Sequence, residues 1–437
     1  MPPKETTSLL SSSSCDEDDH PTKQRHLRVL GAQESFSNES SRPRRFGKAI
    51  LVGGVVVITA LISLVFITVH RALERHRLAD AETHFGNYHL VERQVGASFW
   101  DFYDFLDGAD SLGSAGYNTY VGPKARAQAM DLIRVEDDGQ QSPAIYMQSK
   151  QGKTGEPRYA VRLEGKRRYN RGLFILDVDH LPFGCGVWPA FWLTDEDVWP
   201  DNGEIDIVEG INTQTVAKTA LHTSDRCSMY GHVSPYVKTG VWDTATGIPN
   251  TWTGKLDNFT RKEADDCWVN AAHQWANQGC VAESSQNGTI GGPFNENGGG
   301  VYVLEWDPAN RYIRSWVFGR DAIPANLHDS MQSKSVVPDP NEWDLPYAYF
   351  AIGKDTGCSA DHFKNMRIVF NLAFCGNVAG NRFARDCPHL AKEFEQINPD
   401  TNVTDPILTC NAYMESNPEA LEEAYWKIRG VHVYQRK

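Results

Sequence analysis

Positive charge is scarce in this sequence beyond its first 70 residues. Residues 71–437 contain 35 Lys and Arg against 49 Asp and Glu, and the whole chain of 437 residues carries a formal charge of −13. Nucleic-acid binding draws most of its affinity from Lys and Arg contacts to phosphates. The composition therefore excludes a nucleic-acid partner.

Closely spaced metal ligands are also lacking. The sequence has no tight CxxC or HxxxH pair of the kind that structural zinc sites use, and we expect neither a metal nor another cofactor. Cys15 stands alone near the N-terminus, and the other cysteines follow at positions 185, 227, 267, 280, 358, 375, 387 and 410. This even set fits a disulfide framework in an oxidising compartment, with roughly a hundred possible pairings.

Helical periodicity is rare after residue 87, whereas short strand-like runs are frequent. Such runs occupy residues 159–164, 173–178, 301–306, 313–318, 367–374 and 431–434. We predict one clear helix, near the C-terminus, where Asn417 is a suitable N-cap and Pro418 a suitable first residue. No linker or internal repeat interrupts this region. The pattern predicts one all-β domain, a sandwich or barrel, over residues 88–437.

The N-terminal part has a different character. Residues 1–48 are rich in Ser, Pro and charge, and we expect a disordered cytosolic tail. Residues 49–69 contain no charge and would span ~30 Å as a helix, which predicts a transmembrane signal anchor. Residues 70–87 read as a stem between this anchor and the domain.

The position of the cysteines relative to the anchor predicts a topology. Eight cysteines and the sequons at Asn258, Asn287 and Asn402 follow the anchor, as expected for a single-pass type II membrane protein whose domain is lumenal or extracellular. Leu9 and Leu10, preceded by Glu5, match a short acidic di-leucine pattern. We therefore include a clathrin adaptor among the candidate partners.

The strand-like run at residues 203–210 (GEIDIVEG) carries three carboxylates among apolar residues. A strand projects Glu204 and Asp206 to the same face, whereas Glu209 has the opposite parity. Glu209 joins the other two only if Ile207 and Val208 form a β-bulge. Burying three acids on one face is costly, and the sequence offers no Lys, Arg or His between Trp199 and Ala217 to pair with them. The run therefore indicates chemistry rather than a structural ion pair.

Two carboxyl groups in one site can cleave an acetal, one as acid and the other as nucleophile or base. Retaining glycosidases place them about 5–5.5 Å apart and inverting ones about 6.5–9.5 Å apart. The sequence supports a carboxylate pair and leaves the stereochemistry open.

Several separate motifs resemble glycoside hydrolase family 16, in its fungal laminarinase or endo-1,3(4)-β-glucanase form. The motifs are YNRGLFI (169–175), GCGVWPAFW (184–192), WPDNGEIDIVEG (199–210), LHT (221–223), NENGGGVY (295–302), FNLAFCGNVAG (370–380) and NPEALEEAYWKIRGVHVYQ (417–435). The resemblance extends over about residues 88–435, and the motifs stand in the family's order.

The resemblance implies a concanavalin A-like β-jelly roll whose concave sheet holds a cleft. By position it implies that Glu204 is the nucleophile, that Glu209 is the acid/base and that Asp206 tunes the ionisation of Glu204. It also implies that Trp192 and Trp199 line sugar subsites and that His222 contacts the substrate near the acids.

The function expected from this resemblance is retaining endo-hydrolysis of β-1,3 or mixed-linkage β-glucan, with glucan polysaccharide as the partner. Laminarinases are usually secreted, so a predicted membrane anchor favours action on the cell's own wall or on nearby glucan. Two alternatives remain: a glucan-remodelling transglycosylase, in which a sugar replaces water, and a non-catalytic glucan-binding receptor. The presence of both glutamates disfavours the receptor.

Overall fold

The computed structural model describes residues 61, 63–69, 87–110, 114–140, 142–152, 155–245 and 261–437. The predicted tail at 1–48, with Leu9 and Leu10, lies outside these ranges, as do most of the anchor and stem and the sequon at Asn258. Residues 63–69 are helical. Within the described ranges, no helix combines the length and apolar character needed to cross a bilayer.

Nineteen strands are present in the described residues. In chain order they are β1 (Tyr88–Gln94), β2 (Tyr103–Phe105), β3 (Gly108–Ala109), β4 (Asn118–Tyr120), β5 (Ile133–Glu136), β6 (Ala144–Gln148), β7 (Arg158–Ala160), β8 (Arg162–Tyr169), β9 (Gly172–His180), β10 (Val187–Thr194), β11 (Glu204–Glu209), β12 (Lys218–His222), β13 (Val241–Trp242), β14 (Cys280–Glu283), β15 (Gly300–Asp307), β16 (Tyr312–Gly319), β17 (Ala348–Ala351), β18 (Met366–Phe374) and β19 (Tyr425–Arg436).

The strands form two antiparallel sheets of eight strands each. The first sheet has the order β17-β16-β15-β9-β19-β6-β5, with β1 paired to β19, and the second has the order β13-β14-β12-β11-β10-β18-β8-β2. A small third sheet joins β3, β4 and β7. This architecture confirms the predicted all-β sandwich.

One apolar core lies between the two large sheets. Alternate side chains of both sheets enter it, including Phe174, Leu176, Tyr302, Leu304 and Trp426 from the first and Leu163, Phe191, Leu193, Ile205 and Phe370 from the second. Each fully buried large side chain contributes about 1.5–3 kcal/mol relative to exposure. Because strand side chains alternate, the intervening residues of the second sheet point away from the core. We call this side the outer face of the second sheet.

Helices in the described residues are short. Besides the helical residues 63–69, the α-helices are α1 (Lys124–Ala129), α2 (Gly292–Glu296), α3 (Ala325–Gln332), α4 (Phe383–Asp386), α5 (Pro388–Glu393) and α6 (Pro406–Ser416). The 3-10 helices are Gly96–Phe102, Glu196–Val198, Arg320–Ala322, Pro340–Glu342, Ala360–His362 and Pro418–Leu421, and Gly376–Gly380 is a π-helical turn.

The helix predicted to begin at Asn417 is only the four-residue 3-10 helix Pro418–Leu421, and it is not the long C-terminal helix. The long C-terminal helix is α6, which begins after Asp405 and ends before Asn417. The Asp405 carboxylate accepts hydrogen bonds from the backbone N–H groups of Ile407 and Leu408. Asn417 instead closes this helix, since its side chain donates to the Tyr413 carbonyl.

All eight cysteines of the domain are paired, which confirms the predicted disulfide framework. The bonds are Cys185–Cys387, Cys227–Cys358, Cys267–Cys280 and Cys375–Cys410. Two of them, at Cys185 and Cys375, connect the region around β10 and β18 with the helices α4 to α6. These helices and the ends of β10 and β18 form a second apolar cluster.

Candidate active site

The three carboxylates of β11 lie on the outer face of the second sheet. The pairing of β10 with β11 joins Trp192 to Asp206 and Phe191 to Val208, so Ile207 is an extra residue between two paired positions. This is a β-bulge, and it turns Ile207 and Val208 into the core while returning Glu209 to the face of Glu204 and Asp206. The bulge predicted from residue parity is confirmed.

His222 lies beside two of these carboxylates. It is paired with Glu204 across β11 and β12. Its Nε2 is 3.1 Å from Oδ2 of Asp206 and 3.8 Å from Oε1 of Glu204. Gly279 packs against the imidazole so closely that a Cβ there would lie 2.9 Å from Nδ1. The ring is therefore fixed with Nε2 towards the acids.

Burial governs the ionisation of the acids. The pKa of Glu204 is raised to about 8: burial is the largest cause and the charges of Asp206 and Glu209 add to it, whereas His222 and a hydrogen bond from Trp199 partly offset it. Burial also raises the pKa of Asp206 well above its usual range, with an added contribution from Glu209. A proton on Asp206 would remove one neighbouring negative charge, so Glu204 would ionise more readily.

The two candidate sugar-stacking residues flank these carboxylates. Trp192 is the cross-strand neighbour of Asp206, and its Nε1 donates to Oδ1 of Asn371 over 2.7 Å. The guanidinium of Arg162 lies 5.2 Å from the centroid of the Trp192 ring. Trp199 is 40% exposed, so its ring is available to a ligand while its N–H reaches Glu204.

The loop that carries Trp199 is fixed by one buried acid. Asp195 follows β10, is 2% exposed and accepts hydrogen bonds from Arg168, Asn202 and Asn365. Arg168 belongs to β8, Asn202 to the loop itself and Asn365 to the turn before β18. Trp199 consequently stands in a defined position at the edge of the site.

The structure brings all six sequence-predicted residues together and adds two that were missed. Trp188 donates from Nε1 to Oε1 of Glu209 over 2.7 Å, and Asn371 accepts from Trp192. A usable signal was present for Trp188, because it has the same strand parity as Trp192 and therefore projects to the same face. Asn371 gave no comparable signal.

Among the described residues, Glu204, Asp206 and His222 are arranged closely enough to hold a metal ion. One ligand atom each from Glu204, Asp206 and His222 lies within 4.8 Å of the others. The site also suits acid–base chemistry without a metal, since it combines two carboxyl groups whose pKa values are raised by burial, a third carboxylate at Glu209 and stacking surfaces for a sugar.

Comparison with known proteins identifies relatives of this arrangement. A family model described as the XgeA-like catalytic GH16 domain matches residues 100–434. A probable endo-1,3(4)-β-glucanase of Aspergillus fumigatus is 35% identical over 349 residues, which is 80% of this chain and 45% of that protein. The chain thus spans about half the length of the first curated relatives it matches.

Two solved structures share the fold. An elongating GH family 16 β-1,3-glucosyltransferase is 30% identical, with a TM-score of 0.62 over 80% of this chain and 100% of that one. Laminarinase 16A from Phanerochaete chrysosporium, solved with 6-O-glucosyl-laminaritriose in both donor and acceptor sites, is 29% identical, with a TM-score of 0.62 over 80% of this chain and 99% of that one.

Proposed function

The chain belongs to glycoside hydrolase family 16, and we propose that it cleaves β-1,3 or mixed-linkage β-glucan internally, with retention at the anomeric carbon. The observation that carries this proposal is the bulge in β11, which places Glu204, Asp206 and Glu209 on one face. Without the extra residue Ile207, Glu209 would point into the core. Two glutamates on one strand can then act on the same glycosidic bond.

In the first step, the carboxylate of Glu204 attacks the anomeric carbon while Glu209 donates a proton to the departing oxygen. The carbon–oxygen bond to the leaving sugar breaks as the ester to Glu204 forms. In the second step, Glu209 removes a proton from water, which attacks the same carbon and releases Glu204. Asp206, whose pKa is raised by burial, would keep its proton and share it in a hydrogen bond with the Glu204 carboxylate, which stabilises Glu204 as it is released.

The remaining residues bind the sugar in this proposal. Trp192, beside Asp206, and Trp199, beside Glu204, offer aromatic faces on which pyranose rings would stack. His222 lies within reach of Asp206 and Glu204 and would contact the sugar near the bond that is cut. The outer face of the second sheet is then the floor of the glucan cleft.

A second candidate reaction is glucan transfer, in which the hydroxyl of another glucan replaces water in the second step. The similarity to an elongating β-1,3-glucosyltransferase supports this transfer reaction as an alternative, since hydrolysis and transfer need the same catalytic strand. The receptor alternative is less well supported, because both glutamates are present and both lie on the same face.

Product sizes distinguish hydrolysis from transfer. We expect the domain, incubated with a single laminari-oligosaccharide, to yield shorter chains as its main products, because water is the more abundant acceptor. Mass spectrometry of the products measures this directly. Chains longer than the donor at early times would establish transfer. An oligosaccharide whose length does not change at all would contradict both enzymatic proposals.

We also propose that this is a type II membrane protein acting on wall or nearby glucan. Four disulfides in the domain support folding in an oxidising compartment. The tail at 1–48, the anchor at 49–69 and the stem at 70–87 would place the domain across the membrane from its N-terminus. Leu9 and Leu10 would direct sorting through a clathrin adaptor.

Protease protection tests this topology. In sealed microsomes, a tag at the N-terminus should be digested while the domain stays protected and glycosylated. Protection of the N-terminal tag, or a domain free of glycan, would contradict the type II arrangement.

Changing Leu9 and Leu10 to Ala should shift the steady-state compartment of the protein, and an unchanged distribution would remove the clathrin adaptor from the proposal.

A further inference from the structure

Trp188 makes the hydrogen bond that the proposed acid/base receives from β10. Its indole Nε1 lies 2.7 Å from Oε1 of Glu209, and the residue is 8% exposed. We propose that Trp188 is a positioning residue that determines which oxygen of Glu209 carries the transferred proton. This inference rests on the acid/base role proposed above for Glu209.

The chemistry of the indole gives the bond its direction. An indole N–H can only donate, so Oε1 of Glu209 must accept. A carboxyl group carries one proton, and with Oε1 engaged as an acceptor that proton resides on Oε2. Oε2 is then the atom that protonates the leaving oxygen and later takes a proton from water. The same N–H stabilises the ionised carboxylate between the two steps.

The Trp188 ring is held by its packing. It belongs to a small buried cluster with Ile211, Ala373 and Ala379, against which Val378 also packs. Ala373 lies on the neighbouring strand β18, paired with Trp188. Val378 and Ala379 belong to the π-helical turn Gly376–Gly380. The indole therefore packs between the sheet and this turn, and this packing restrains its orientation towards Glu209.

Asn212 connects the two segments that enclose the ring. Its Oδ1 accepts from the backbone of Gly186 over 2.7 Å, and its Nδ2 donates to the carbonyl of Ala379 over 3.1 Å. A second bond from Nδ2 reaches Oδ2 of Asp386 at 3.0 Å. Cys185 and Cys375, the disulfide-bonded residues just before these segments, restrain them further. The support under Trp188 is thus covalent as well as polar.

Few charged groups compete for control of Glu209. On its own strand, Asp206 and Glu204 face it. Strand β12 contributes His222, which lies against Asp206, and Lys218. The Lys218 ammonium is bound by Asp243, the residue after β13, and by Glu283 of β14. The residues of β10 that share this face, Trp188, Ala190 and Trp192, do not titrate. Trp188 is therefore a neutral donor to Glu209 among these charged groups.

Two substitutions separate the donor role from packing. Trp188→Phe keeps an aromatic ring and removes the N–H, whereas Trp188→Gln removes the ring and keeps an N–H donor of similar reach. Trp343→Phe is the matched control, because Trp343 is 4% exposed and donates from Nε1 to Oδ1 of Asn326 over 2.6 Å in the cluster at the first sheet. Each variant is assayed by kcat/KM against pH on a laminari-oligosaccharide and on a dinitrophenyl β-laminarioside.

We expect Trp188→Phe to lower kcat/KM on the oligosaccharide by roughly 10- to 100-fold, since a general acid contributes about 10²- to 10⁴-fold and would be mispositioned rather than removed. The basic limb of its pH profile should move to higher pH, because the ionised carboxylate loses a donor. The dinitrophenyl substrate, whose leaving group needs no proton, should lose much less. Trp188→Gln should retain the wild-type basic limb.

Either of two outcomes would overturn the inference: a wild-type basic limb in Trp188→Phe, or an equal displacement of the limb in Trp188→Gln. If Trp188→Phe fails to fold, the limb of Trp188→Gln alone decides. The Trp343→Phe profile should match wild type. A wild-type protein that cleaves no β-glucan at all would instead refute the proposed function, which is a separate result.

Discussion

Replacing Glu204 with Gln should reduce cleavage of laminarin by roughly 10⁴-fold or more, in line with losing the nucleophile of a covalent mechanism. The substitution keeps the size of the side chain, so Trp192, Trp199 and His222 should keep their positions and glucan binding should survive. Reducing-sugar release measures the first effect, and affinity electrophoresis in laminarin gels measures the second.

A matched substitution shows whether the loss is specific. Glu136 lies at the exposed end of β5, an edge strand of the first sheet, and Glu136→Gln changes the same functional group on a different sheet from β11. It should retain wild-type turnover. A Glu204→Gln protein that still cleaves laminarin near the wild-type rate would refute the assignment of the nucleophile.

Thermal unfolding of the same variant provides an independent check with a defined sign. Folding raises the pKa of Glu204 from 4.5 to about 8, so the folded protein holds this proton more tightly than the unfolded chain. The contribution of this proton to the stability of the wild type is therefore lost as pH rises from about 4.5 to about 8. Gln carries no charge, so the Tm of Glu204→Gln should exceed that of wild type increasingly over this range, by about 5 °C at the upper end. A Tm difference that shrinks with pH would contradict the raised pKa.

Glu209→Ala should show the second large effect, a loss of roughly 10²- to 10⁴-fold on unactivated glucan because the leaving oxygen receives no proton. On a dinitrophenyl β-glycoside the first step needs no acid, so the glycosyl ester on Glu204 should still form and then persist. Azide, which needs no general base, should attack this ester and restore turnover. The product should be the β-glycosyl azide, because two displacements restore the original configuration.

The wild-type enzyme is the control for this experiment. Its own base already activates water, so azide should change its rate little. Nuclear magnetic resonance of the azide product identifies the anomer. An α-glycosyl azide from Glu209→Ala would indicate a single displacement and would contradict the retaining mechanism.

Strand β11 shows which features of the site can be predicted from local sequence. Strand alternation alone placed Glu204 and Asp206 on one face and required an extra residue before Glu209, and Ile207 is that residue in the structure. This worked because apolar and acidic side chains have strongly different burial costs, so parity can be read from residue type. The roles assigned to the three acids came from resemblance and stay predictions.

The C-terminal helix shows where local sequence was ambiguous. Asp405-Pro406 and Asn417-Pro418 carry the same start signal, a capping residue followed by proline. Only the first begins a long helix, whereas the second is followed by the four-residue 3-10 helix Pro418–Leu421 and then by β19. Packing of α6 against the cluster around Cys375 and Cys410 selects between them, and a local signal contains no information on packing.

By itself, the sequence determined the all-β class, the shared face of Glu204 and Asp206 and the need for a bulge before Glu209, because all three follow from alternation along single strands. The choice of a sandwich over a barrel came from the family resemblance. The tertiary structure decided which cysteines pair, that Trp188 bonds Glu209, and that Asn371 bonds Trp192. These contacts join residues of different strands or segments, which come together only when the sheet has formed in its final register. Strand order and register set them, and both depend on the free energy of the whole fold rather than on neighbouring residues.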